Sequence, residues 1–336
     1  MELSLITYLD AKNKNLDNIK SILEVQKIAK FEFILIADNL NQTAFKKLLD
    51  LENNFKTNDF KIIFNEKKQG EIQGIFDAVK ISNKTFTLIQ PNFSSYKKNF
   101  VEDVSHLLKS KNIADIIEFR PDIEGLTHWN PKLRFNFETL ESIFENEKIA
   151  EVLVYAFPFI FNKIFRKEIL LKAFENKNLS ENTSIFELFY YILPFAKTYM
   201  TFNKELSKES INKSHFNSYL VFFKTWKKLE NFYNSSHQNL IQELIYAKFF
   251  CLQVLIPGFL GHINRKKIIS LSYNFIDKAN SQLNSNYYEK LKSIHEAEFK
   301  NLAVNSKYMM LKNSEVEFLE KVTPKSKWVK ILKNFE

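Results

Sequence analysis

From Leu3 to about residue 120, short apolar runs alternate with amphipathic runs, and that alternation leaves the chain few folds to choose from. Leu3-Ser4-Leu5-Ile6-Thr7-Tyr8 reads as a buried strand. Leu16, Ile19, Ile22 and Leu23 then recur at helical spacing, with Asp17 near the helix start. Phe31 to Ala37 predicts a second strand ending at Asp38-Asn39, Thr43 to Leu51 a helix, and Phe60 to Phe64 a third strand. Gly70 and Gly74 open a helix through Val79, and Phe86-Thr87-Leu88-Ile89 is a fourth strand. A helix over Val101 to Leu108 and a strand over Ala114 to Phe119 complete the series. Strands separated by helices need crossover connections, so the pattern predicts a mostly parallel sheet with helices on both faces. The fourth strand breaks abruptly at Gln90-Pro91-Asn92. Open α/β sheets bind ligands at the carboxyl ends of their strands, so this break is the first place to look for chemistry.

From Thr139 the reading turns mainly helical. Phe157 to Leu170 passes from an extended piece into a helix, Ile185 to Leu193 is an apolar helix stopped by Pro194, and Thr198 to Phe202 is a last edge strand. After Leu206 the chain reads as all-helical, with Phe216, Tyr219, Leu220, Phe223, Trp226, Leu229 and Tyr233 on one stripe. Charge divides the chain at the same place. Of the net +9, residues 206–336 supply all of it, with 20 Lys+Arg against 11 Asp+Glu, while residues 1–205 are neutral. Two regions are therefore expected: an α/β domain over 1–205 and a basic helical domain over 206–336. A surplus so placed suits an anionic membrane surface, an acidic partner or nucleic acid.

Several classes are excluded by what the chain lacks. One cysteine, Cys251, rules out an internal disulfide and a cysteine-built metal site, and its neighbours Phe249, Phe250, Leu252 and Val254 mark it as a small buried hydrophobe. His106, His128, His215, His237, His262 and His295 show no metal-ligand spacing. The amino terminus has no signal-peptide pattern, and the longest apolar run, Phe249 to Leu260, is short of a membrane span and contains Pro257-Gly258. A cytoplasmic protein is expected. Heavy use of Lys, Asn, Ile and Phe (34 Phe against 5 Gly) fits the codon bias of an AT-rich bacterial genome, a bias that also eases exchange of Asp for Asn.

Four local segments, in order, resemble the family 2 glycosyltransferases over about residues 3–205. L-S-L-I-T-Y followed by K-S-I-L-E-V-Q is similar to the family's opening strand and helix, and F-E-F-I-L-I-A-D-N to its second strand. N-E-K-K-Q-G is similar to its glycine turn, and F-N-K-I-F-R-K-E-I-L to a segment that follows its acceptor region. The resemblance implies a GT-A fold, one α/β domain that takes a nucleotide-sugar across its sheet edge with Mn²⁺ or Mg²⁺.

It also implies where the chemistry should be, and there this chain departs. The family's nucleotide acid falls on Asp38, which is retained, and the turn near the phosphates falls on Gly70. Asp38 has a second reading as a turn-capping residue. The metal motif D-x-D aligns with Gln90-Pro91-Asn92, where two amides bring no negative charge to a hard cation. The general base falls in a pair that aligns with Glu181-Asn182. An amide there cannot accept a proton at neutral pH, and losing a positioned base costs roughly 10²–10⁴ in rate. Gly74-Ile75-Phe76 replace the family's A-R-N. These departures predict a transferase-like protein without catalysis and without a cofactor, acting as a structural or interaction subunit beside other protein subunits. The alternative is a divergent active glycosyltransferase that moves a sugar to a lipid or other acceptor at the membrane, with Glu181 as relocated catalyst.

Thr127-His128-Trp129-Asn130 falls in the acceptor region, its Trp a sugar or partner contact or, more simply, a core anchor. The carboxyl end offers the interaction surface: Trp328, Ile331, Leu332 and Phe335 fall at i, i+3, i+4 and i+7 among Lys325, Lys327, Lys330 and Lys333. Such a helix can lie on an anionic membrane or dock its stripe on the protein's own helices. No nucleic-acid motif appears, so nucleic acid is not an expected partner.

Overall fold

The computed structural model describes residues 1–10, 16–29, 31–54, 59–90, 93–110, 113–134, 143–144, 149–175, 179, 183, 186–216, 219–263, 273–311 and 313–336. The chain divides into two compact units. Unit 1 comprises Met1–Asp122, Phe135–Ile149 and Phe159–Ser210, and unit 2 comprises Ile123–Arg134, Ala150–Pro158 and Ile211–Glu336. The helical unit thus takes two segments from the part of the chain that precedes residue 206.

The alternation read from the sequence is present: β1 (Leu3–Asp10), α1 (Leu16–Ala29), β2 (Glu32–Asp38), α2 (Gln42–Asn54), β3 (Phe60–Asn65), α3 (Glu71–Ile81) and β4 (Phe86–Ile89). β5 (Phe93–Tyr96), α4 (Phe100–Leu107) and β6 (Ile116–Phe119) follow. After β7 (Ile123–Gly125, in unit 2) come β8 (Ile143–Phe144), α5 (Ile149–Tyr155), β9 (Lys163–Arg166), α6 (Lys167–Glu175), α7 (Leu188–Ile192), β10 (Tyr199–Phe202) and β11 (Ser207–Ile211). The main sheet of unit 1 has the order β3-β2-β1-β4-β9-β6-β10-β8. β3, β2, β1 and β4 are parallel, β10 is parallel to β6, and β9 runs antiparallel between β4 and β6. Leu5, Phe33, Leu35, Leu88, Phe100 and Phe119 fill the core on one sheet face. On the other face Gly74 lets α3 come down on β2, since a Cβ there would stand 2.8 Å from Ile36 Cγ2.

Two sequence expectations are corrected here. Thr198–Phe202 forms a strand as expected but not an edge strand, because Tyr199 and Met200 pair antiparallel with β8, which lies outside it. The chain is not all-helical after Leu206 either: Ser207–Ile211 is a strand, antiparallel to β5. Its S-K-E-S-I alternation buries Ser207, Glu209 and Ile211 and leaves the residues between half-exposed. A strand with polar residues on its buried face carries too little apolar signal to be read from sequence alone.

Unit 2 holds α8 (Tyr219–Ser236), α9 (Ile241–Phe250), α10 (Ile256–Ile263), α11 (Tyr273–Asn305), α12 (Ser314–Glu320) and α13 (Trp328–Ile331). α9 and α10 join through a π turn at Cys251–Leu255, making one helical run over Gln238–Ile263. That run is 26 residues long, apolar enough to cross a membrane by length and composition, and so longer than the sequence suggested. Within it 89% of the most apolar window is buried, which is how a central core helix also reads. Cys251 lies inside it, buried. Trp129 is fully buried, edge-on to Phe157 and Phe259, so it anchors its loop in the core of unit 2.

Candidate functional site

The carboxyl ends of β1, β2, β3 and β4 lie side by side, with Asp10 opposite Asp38 and Asp38 opposite Asn65 in register. Asp38 ends β2 because Asn39 turns the chain at φ 53°, a left-handed conformation that Asn tolerates better than most residues. The Asp38 carboxylate is completely buried. Its Oδ1 accepts the Gln69 N–H at 2.9 Å, and its Oδ2 accepts the Gly70 N–H at 3.0 Å and the Tyr8 hydroxyl at 2.5 Å. Burial works to raise its pKa, but these donors outweigh it and hold the carboxyl below the usual carboxylate range. The group therefore ties the turn before α3 to the end of β2. Gly70 caps α3 at φ 90°, with open space where a side chain would stand.

Gln90 follows β4 and is fully buried, its N–H bonded to Ile6 O at 2.9 Å. Its Nε2 donates to Ser207 Oγ on β11. Its Oε1 meets no hydrogen-bond partner among the described residues, and the same holds for Oγ1 of the neighbouring Thr7. Asn92, Glu181 and Asn182 lie outside the described residues. Gly74 and Ile75 are buried and Phe76 stacks on Phe174 at 5.3 Å, so the three residues that replace A-R-N serve packing.

β11 brings polar residues to this edge that the sequence reading did not single out. Glu209 shares the buried face of β11 with Ser207, and its N–H bonds to Asp122 O at 3.0 Å. The Asp122 carboxylate, 1% exposed, is paired with Lys97, which also reaches Glu205 at 2.8 Å. Burial alone would lower the Lys97 pKa, but the two carboxylates raise it. Four of the five residues of S-K-E-S-I are polar, so the sequence offered no apolar alternation by which to find this strand. Among the described residues, no three His, Cys, Asp or Glu side chains form a group that could share a metal ion.

The N-K-I-F-R segment sits in the middle of the sheet. Lys163 is fully buried, and its Nζ donates to Glu118 Oε1 at 3.0 Å, Phe159 O at 2.9 Å and Asn162 Oδ1 at 3.0 Å. Tyr199 donates its hydroxyl to Glu118 Oε2 at 2.9 Å. Desolvation pulls the Lys163 ammonium down to about 8, against the opposing pull of Glu118. At the end of the same strand Arg166 Nε bonds Asp115 Oδ1 at 2.8 Å, and Asp115 also accepts the Lys197 and Thr198 N–H groups. Arg166 and Asp115 join strands at the far end of β9, whereas Lys163, next to the Ile164 that pairs with Leu88, stands level with the carboxyl end of β4.

The apolar stripe of the carboxyl-terminal segment docks on the protein's own helices, the second of the two readings given for it. Trp328, Ile331 and Leu332 are buried within unit 2 and Phe335 is half-buried, leaving Lys325, Lys327, Lys330 and Lys333 exposed. The physical reason lies in two glycines of α10. A Cβ at Gly258 would come within 2.6 Å of Leu332 Cγ, and one at Gly261 within 2.6 Å of Val329 N, so the backbone gap they leave receives the stripe. Trp129 Nε1 donates to Leu332 O at 3.0 Å, closing the same contact.

No protein-family profile matches the sequence, and neither does any curated protein. Solved structures do match. Staphylococcus aureus TarS, residues 1–349, in complex with UDP-GlcNAc aligns at 13% identity and a TM-score of 0.54, over 88% of this chain and 92% of that one. A second structure of TarS 1–349 gives 12% and 0.53 over the same shares, and its complex with UDP gives 13% and 0.51. At such identities the likeness speaks for fold alone, and the fold it shows is the GT-A-like glycosyltransferase fold, with its mostly parallel sheet and helical carboxyl-terminal region.

Proposed function

We propose that this chain keeps the glycosyltransferase fold without turning over a nucleotide-sugar, and serves as a binding or structural subunit of a larger assembly. The observation that carries the reading is Gln90. At the position where the family places a metal-binding carboxylate stands a neutral amide, fully buried and bonded to Ser207. A carbonyl in that place brings no charge to a divalent cation, and a leaving diphosphate needs that charge. Asp38 supports the same reading, because both its oxygens already accept donors of the chain itself.

The test is thermal unfolding with UDP-GlcNAc and GDP-mannose, each with and without Mn²⁺, alongside an assay for released nucleoside diphosphate. No saturable rise in Tm and no release are expected, together with a stable partner in pull-downs from the native cell. Mn²⁺-dependent stabilisation or turnover would overturn the proposal. One observation favours an active enzyme instead: Glu209 lies two residues from Ser207 on the same buried face, roughly 7 Å along the strand. Under that reading Glu209→Gln abolishes turnover.

A further inference from the structure

The three most exposed large hydrophobic side chains of the described residues fall within eight consecutive residues of unit 2: Val304 at 67%, Met310 at 72% and Leu311 at 46%. Val304 is in the last turn of α11, and Met310 closes the 3-10 turn Lys307–Met310. The tip stands on a firm base. Tyr308 of that turn is buried, edge-on to Tyr155 and Tyr246, and the chain is pinned by Ser306 N–H to Leu302 O at 2.9 Å and Met309 N–H to Ser306 O at 3.1 Å. Beyond it Asn313 caps α12 by accepting the Val316 N–H at 2.9 Å. Met310 and Leu311 are thus presented outward by a fixed turn.

We infer that this tip inserts into the surface of an anionic phospholipid bilayer, with Lys300 and Lys307 on the headgroups. Charge selects this occupant. Both lysines are exposed, and residues 206–336 carry the entire +9 of the chain. Three acids close by along the chain are ion-paired, Glu296 to Lys292 at 3.8 Å, Glu298 to Lys248 at 2.5 Å and Glu315 to Arg134 at 2.5 Å, and Glu317 is exposed beyond them. Apolar side chains flanked by lysines gain from hydrocarbon burial and from negative headgroups together. The lysines of the carboxyl-terminal segment cannot do this, because their apolar partners are spent inside unit 2. The inference does not depend on whether unit 1 is catalytic.

The experiment is co-sedimentation of the full chain with vesicles of phosphatidylcholine alone and of phosphatidylcholine with phosphatidylglycerol. Binding to the anionic vesicles is expected, with weak or no binding to the neutral ones. The Met310→Asp/Leu311→Asp variant keeps its unfolding midpoint, since both side chains are solvent-exposed, and binds about ten-fold more weakly or worse. A Lys300→Gln/Lys307→Gln variant loses a smaller factor and flattens the dependence on salt. Failure of the wild type to bind anionic vesicles overturns the inference. Equal binding by the aspartate variant, with loss on neutralising Lys325, Lys327, Lys330 and Lys333, does so too. So does a wild type that is dimeric by light scattering and made monomeric by the aspartate variant, with no vesicle binding in either.

Discussion

Unit 1 contains two buried polar clusters that obey opposite rules. In the middle of the sheet Lys163, Glu118, Asn162 and Tyr199 form a charged group in which each described polar group named has a partner. At the carboxyl edge Gln90, Ser207 and Thr7 are neutral, and two of their atoms meet no partner among the described residues. The first arrangement is what a fold needs, since a buried ion survives only when it is paired and hydrogen-bonded. The second fits the proposed loss of catalysis, under which a site for charge holds amides. The difference teaches that the buried charges of the first cluster are held by one another, while Gln90 meets its neighbours as a neutral amide.

The largest effect comes from breaking the first cluster. Lys163→Met leaves Glu118 buried without its counter-ion and should cost about 3–5 kcal/mol, read as a lowered midpoint in urea. Adding Glu118→Gln should recover part of that, because the amide still accepts from Tyr199 and no charge is left buried. The wild type carries a further signature. Its Lys163 pKa is lower folded than unfolded, so the unfolded chain holds the extra proton between about 8 and the ordinary lysine value. This group alone therefore makes stability rise with pH across that window, and the Lys163→Met variant should lack the rise. A midpoint unmoved by Lys163→Met would erase the contrast between the clusters.

How much of this was legible beforehand follows from the same contrast. Strands β1 to β4 and β6 could be read because their apolar runs are bounded by polar turns, and Gly70 because only a glycine sits easily at its φ of 90°. The resemblance of F-N-K-I-F-R-K-E-I-L to a family segment gave its place, but not that its lysine is buried on Glu118, 45 residues earlier in the chain. Long-range polar pairs leave no periodicity. β11 escaped for a related reason: its buried positions hold Ser and Glu. The carboxyl-terminal stripe could be read as amphipathic but not as covered, since its cover depends on the gaps at Gly258 and Gly261 in α10. Of the candidate edge residues, Asp38 and Gln90 could be placed by alignment, and their burial could not.

An intermediate effect should follow from Asp38→Asn, which keeps the shape and removes the charge that three donors share. Hydrogen bonds to a charged group contribute about 1.5–3 kcal/mol, and a loss of that order is expected near neutral pH. The sign with pH is fixed. The folded pKa of Asp38 lies below the unfolded value, so its contribution is full above the unfolded pKa and is lost as pH falls through the folded one. The wild type and the variant should accordingly converge in stability as the medium is acidified below the ordinary aspartate range. Parallel curves throughout would show that the carboxylate of Asp38 has no special hold on the turn before α3.

The smallest effect should come from the edge itself. Gln90→Leu removes a buried acceptor that has no described partner, but it also takes away the donor that Ser207 now receives. An unmet acceptor costs about 1–3 kcal/mol, and a lost neutral hydrogen bond contributes about 0.5–1.5 kcal/mol, so the two changes largely offset. A midpoint within about 1 kcal/mol of the wild type in either direction is expected, against several for Lys163→Met. Gln90→Asp sharpens the point, for it places a carboxylate where the chain has a buried neutral amide. Without metal that charge is buried and costs more than the leucine does; with Mn²⁺ the cost shrinks only if the surrounding oxygens still form a cation site. If Mn²⁺ raises the midpoint of the aspartate variant and leaves the wild type unmoved, Gln90 is the residue that separates this chain from a metal-dependent transferase. If it moves neither, the site has been rebuilt beyond that single position, and Asn92 becomes the next residue to change.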